Sequence, residues 1–215
     1  MRALGLIEVY SFTTAVCAAD VMAKAADVKI IAFDRNRPIR TDVPAPLVMV
    51  VKVEGNVGAV EAAVAAGKQY AESEGKYIVS HIIPHPDSDA EKMAYLMDIN
   101  KDKYNKKLPK TTKDIPEDKI VDINGAFGLV EISGLVASIE ALDSMLKAAQ
   151  VRLVHTEKRL GGRLVTLIVI GNVSAVTAAV EAGCEKGKAL GGIYGSAVIP
   201  RPHCELSKFF DLDIE

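Results

Sequence analysis

Ala3-Leu4-Gly5-Leu6-Ile7-Glu8 returns 123 residues later as Ala126-Phe127-Gly128-Leu129-Val130-Glu131, and the spacing then holds without a gap. At the same offset Asp20-Val21-Met22-Ala23-Lys24-Ala25-Ala26 meets Asp143-Ser144-Met145-Leu146-Lys147-Ala148-Ala149. Farther on, Gly55-Asn56-Val57-Gly58-Ala59-Val60 pairs with Gly171-Asn172-Val173-Ser174-Ala175-Val176, and Ile83-Pro84-His85-Pro86 with Ile199-Pro200-Arg201-Pro202, both at offset 116. Self-similarity at a fixed spacing marks a duplicated structural unit. The offset falls by seven between the blocks, so the copies differ in one loop, residues 34–46 against 157–163.

Each copy reads as strand, helix, strand, loop, strand, helix, strand. Residues 3–10 are β-rich, and Phe12, Val16, Ala19 and Ala23 then recur at helical spacing. A short strand is expected over 28–33, and 47–53 (164–170 in copy two) is continuously apolar, as in a strand buried on both faces. Asn56 and Asn172 stand where a side chain can cap a helix whose apolar stripe is Val57, Val60 and Val64, or Val173, Val176 and Val180. That helix should end near Gly75 or Gly191, and the last strand should stop at Pro84 or Pro200. The order β-α-β-β-α-β is ferredoxin-like, an α/β (α+β) arrangement that hosts many functions.

Residues 87–122 have no counterpart in either copy and hold 17 charged residues of 36, with Pro109 and Pro116. The expected organisation is therefore a first domain over 1–88, a charged linker over 89–122, helical over 89–97, and a second domain over 123–215. With 26 basic against 28 acidic residues the net charge is −2, so no global field recruits nucleic acid or an anionic membrane. The apolar runs fall far short of a membrane span, and the N-terminus reaches Glu8 too soon for a signal peptide. Cys17, Cys184 and Cys204 form no CxxC pair and fit a reducing cytosol, as small apolar side chains.

The combination carried twice, ALGLIE at the first strand, D-x-M-x-KAA closing the first helix, G-N-V-x-A-V-x-A-A-V after the third strand and IPRPH at the end, resembles the bacterial microcompartment shell domain. The resemblance covers residues 2–86 and 125–210, in the unpermuted tandem form, and implies a trimer whose six domains make a pseudohexameric tile. It implies a structural protein of a microcompartment shell, within the cytoplasm, with no catalytic residues and no cofactor. Its partners would be its own copies, other shell proteins and small polar or anionic metabolites crossing a pore. The tile edge would fall on Lys24 and Lys147, with Arg201 approaching it and His85 in its place in copy one. The pore would be lined by Arg35, Arg37 and Arg40 of the first loop and by Lys158, Arg159, Leu160, Gly161, Gly162 and Arg163 of the second. The first loop is longer, lacks glycine and holds Pro38, Pro44 and Pro46, which restrict φ and stiffen it.

One tandem branch of that family binds an iron–sulfur cluster through a pore-loop cysteine; neither loop here has one, and a cluster needs thiolate. His203-Cys204 lacks a second ligand pair nearby, and His81, His85 and His155 follow no ligand spacing, so no metal site is expected. Gly161-Gly162 precedes a strand and not a helix, so it is no phosphate cradle. An enzyme reading fails because no nucleophile, base and orienting group can be assembled. The alternative outside the shell family is a trimeric ferredoxin-like module that senses a small ligand. Counting 34–46 as net +1 and 157–163 as net +2, three chains would gather +9 around an axis and attract anions.

Overall fold

A computed structural model describes residues 2–38, 40–87, 122–157, 163–210 and 212. The chain divides into two compact units, one of 1–10 with 14–120 and one of 121–215 that also takes in Ser11–Thr13. In the first, the order is β1 (Ala3–Tyr10), α1 (Phe12–Ala25), β2 (Val28–Asn36), β3 (Val48–Gly55), α2 (Val57–Ser73) and β4 (Tyr77–Ile83). Then follow β5 (Ala126–Ser133), α3 (Leu135–Ala148), β6 (Arg152–Glu157), β7 (Leu164–Gly171), α4 (Val173–Leu190), β8 (Ile193–Ile199) and a 3-10 turn over Cys204–Phe209. Each sheet is antiparallel, ordered β2-β3-β1-β4 and β6-β7-β5-β8, the ferredoxin-like arrangement expected from the sequence. Residues 89–121 of the expected linker, with the helix expected over 89–97, fall outside the described residues.

The repeated glycine of the first strand explains itself through packing. A Cβ on Gly5 would lie 2.7 Å from Val60 Cγ1 and Val64 Cγ2, and one on Gly128 would lie 2.7 and 2.8 Å from Val176 and Val180. The second helix therefore rests its valines directly on the central strand. Gly5→Ala should destabilise the protein by about 1–3 kcal/mol, the usual range for overpacking a filled core. Gly58→Ala, at a helical position whose nearest added contact is 3.9 Å, should stabilise it by about 0.4–1 kcal/mol. Thermal unfolding of the two variants checks both signs.

Asn56 Oδ1 accepts from Ala59 N at 2.8 Å and Asn172 Oδ1 from Ala175 N at 2.8 Å, so both helices carry the cap their sequences suggest. The stripe differs from the expectation. It is Val60, Ala63, Val64, Gly67 and Ala71 on α2 and Val176, Ala179, Val180, Gly183 and Gly187 on α4. Val173 is 47% exposed, because the first helical position precedes the turn that meets the sheet.

The sheet faces away from the helices differ between copies. In the second unit Phe210, just past the 3-10 turn, packs edge-on against Phe127 at 5.8 Å between ring centroids and, tilted, against His155 at 5.2 Å. Ile168 and Ile170 of β7 occupy positions that in β3 are Lys52 and Glu54. There Lys52 pairs with Asp34, and Glu54 accepts from Arg2 at 2.7 Å.

Candidate functional site

β2 runs three residues beyond its expected end at Phe33 and draws in part of the first candidate loop. Asp34 is buried on the strand in an ion pair with Lys52, and Arg35 is half-buried on it. The loop begins at Arg37, which is exposed. Arg40 is exposed too, and grips Asp42 through Nε at 2.9 Å and through Nη2. That contact holds the Asp42 carboxyl below its ordinary range. Sequence counting treated Asp34 as a loop charge; its ion pair with the buried Lys52 of β3 removes it.

In the second copy Glu157 is likewise a strand residue, buried, with its carboxylate 3.6 Å from His155 Nε2. Arg163 is exposed and adopts a positive φ of 64°. Its carbonyl accepts Gly134 N–H at 2.8 Å, tying the end of this loop to the start of α3. Lys158, Arg159, Leu160, Gly161 and Gly162 lie outside the described residues.

At the candidate edge the two copies agree. Lys24 and Lys147 each reach back one helical turn to Asp20 and Asp143, at 2.5 and 2.6 Å, with side chains 41% and 75% exposed. The repeated D-x-M-x-K spacing is thus an i,i+4 tether that directs the ammonium. The methionine between them fills the notch beside the next helix: Met22 over Gly67 and Met145 over Gly183. His85 and Arg201 are exposed at matching positions just after β4 and β8.

The remaining tempting residues have structural occupations. His203 Nδ1 accepts Glu205 N–H at 3.2 Å and caps the 3-10 turn, a role for which the sequence held no signal beyond the pairing itself. Burial pushes the Cys17 thiol up to about 12, which keeps it protonated and unreactive. Among the described residues no three His, Cys, Asp or Glu side chains converge as metal ligands, and no helix is long and apolar enough to cross a membrane.

The BMC domain matches residues 3–86 and again 126–202. The chain belongs to the BMC domain family. Its similarity to the carboxysome assembly protein CcmO of Synechococcus elongatus is 33% identity over 200 residues, 93% of this chain and 65% of that protein. The chain thus spans about two thirds of the length of that relative. The shorter microcompartment shell proteins match a single BMC domain. PduA of Salmonella typhimurium is 49% identical over 83 residues, 39% of this chain and 87% of its own length. EutM of Escherichia coli is 44% identical over 90 residues, 42% of this chain and 92% of its own length. Relatives of this kind bear out the shell-protein resemblance on both copies of the repeat.

Proposed function

We propose that the chain is a structural tile of a bacterial microcompartment shell in the cytoplasm, in which three copies close a pseudohexameric ring of BMC domains around a pore. What supports the ring is the unequal covering of two equivalent helices. On α1, Phe12, Thr13, Val16 and Ala23 are buried; their repeat mates on α3, Leu135, Val136, Ile139 and Leu146, are 62, 76, 61 and 44% exposed. An apolar helix face buried in one copy and bare in its twin marks an interface. The piece that covers it is a second copy of this chain, and repeated head-to-tail contacts of that kind stop growing only when they close.

The loops after β2 and β6 line the pore in this reading, through Arg35, Arg37, Arg40, Arg163 and the residues 158–162 between the strands. Small anionic metabolites are the solutes such a lining favours. Lys24, Lys147, His85 and Arg201 form the edges that meet neighbouring rings and other shell proteins. The domains so joined are 1–88 and 123–215. Electron microscopy of cells overproducing the chain tests the tile: flat sheets or tubes with a hexagonal repeat are expected. Discrete particles at every concentration would count against it and favour the sensing module.

A further inference from the structure

The two candidate edge lysines share a tether but not its surroundings. Lys24 Nζ lies 2.5 Å from Asp20 Oδ2, and Lys147 Nζ lies 2.6 Å from Asp143 Oδ2. In the first unit a hydrogen bond joins α1 to α2 one turn before the aspartate, where the Tyr70 hydroxyl donates to the Cys17 sulfur. Cys17 is buried and Tyr70 half-buried, and burial drives both groups away from ionisation. Asp20 stands close enough for its charge to push them further the same way. Its carboxylate therefore borders two groups that stay neutral, and Lys24 reaches back to it across a single helical turn.

The second unit keeps the aspartate and the lysine and changes both neighbours. Glu140 occupies the repeat position of Cys17 and Lys186 that of Tyr70, so two charged side chains replace the neutral bridge. Asp143 accepts the hydrogen bond of Lys147, and the Glu140 carboxylate adds its pull on the same ammonium. An exposed ammonium drawn by two carboxylates has more than one direction to take, and pairs of this kind are weak and screened by salt. Beside neutral, largely buried groups an ion pair keeps more of its Coulomb attraction and holds one direction.

We infer that Asp20, seated beside the Cys17–Tyr70 hydrogen bond, is the positioning residue for Lys24, and that the first-copy edge is in consequence the tighter of the two kinds of edge. This positioning role rests on the tile reading above and adds to it that the edge lysines are not equivalent. Lys24 meets a neighbouring ring already extended in one direction, so little side-chain freedom is lost on contact, whereas Lys147 is ordered only as the contact forms. A lattice repeats that difference at every edge.

The protein concentration at which sheets appear, read by light scattering and checked by electron microscopy, separates the two edges. Lys24→Ala should raise it at least about tenfold and Lys147→Ala about twofold or less. Asp20→Asn, which keeps the shape of the side chain and removes its charge, should match Lys24→Ala, and Asp143→Asn should match Lys147→Ala. Circular dichroism and ring mass equal to wild type show that each variant is folded and assembled. Should Asp20→Asn fail to fold, the contrast between the two lysine variants decides. Equal shifts from Lys24→Ala and Lys147→Ala, or a folded Asp20→Asn that forms sheets at the wild-type concentration, would overturn the positioning role and leave the edge reading standing. Absence of sheets from wild type, or sheets at the wild-type concentration in both lysine variants, would remove the edge reading itself and the positioning role with it.

Discussion

Replacing Lys24 and Lys147 together by alanine should abolish sheets and tubes while leaving the ring intact. Both lysines close their helices, both are held by an aspartate one turn earlier, and both keep substantial exposure. An ammonium anchored in this way keeps its stem extended along the surface, so less side-chain freedom is lost when a neighbour arrives. A single exposed contact of this class is weak. A ring of three chains would present six such lysines, and a lattice multiplies a weak contact by its repetition, so a modest loss at each edge removes the sheet altogether. Microscopy reads the sheets and light scattering the ring. Sheets of unchanged extent would release these lysines from the edge role, and loss of the ring as well would place them inside it.

The second large effect is expected at the pore. Changing Arg159 and Arg163 to glutamate alters the charge of each chain's second loop by four, twelve over a ring of three. Glu157, which the sequence count set against these cations, belongs to β6 and is buried there. A constriction with protein walls screens charge less than an open surface, and focused fields change the entry of charged solutes by about tenfold or more. Entry of a small carboxylate into reconstituted shells should slow by about that factor in the double variant. A neutral solute of similar size should enter at the wild-type rate. Equal permeation of the carboxylate through both shells would make these arginines ordinary solvated charges.

The sequence exposed the fold through the duplication, since a residue pattern kept at two fixed offsets constrains both copies at once. Asn56 and Asn172 had a local physical meaning as helix caps that the structure bears out, whereas the packing of Gly5 and Gly128 and the aspartate tether of Lys24 and Lys147 came only with the structure. Less legible was anything decided across strands. Asp34 and Glu157 looked like loop charges because the chain around them turns polar, yet Lys52 meets Asp34 only through the pairing of β2 with β3, and His155 meets Glu157 only because β6 runs on to that residue and sets both on one face. Val173 read as part of an apolar stripe by periodicity alone, whereas the contact with the sheet begins one turn later.

The most direct measurement is the mass of the wild-type protein in dilute solution, by sedimentation or native mass spectrometry. Each chain weighs 23.0 kDa, and a species of three chains, stable on dilution, is expected. A single-chain mass at every concentration would contradict the closed ring, and with it the tile.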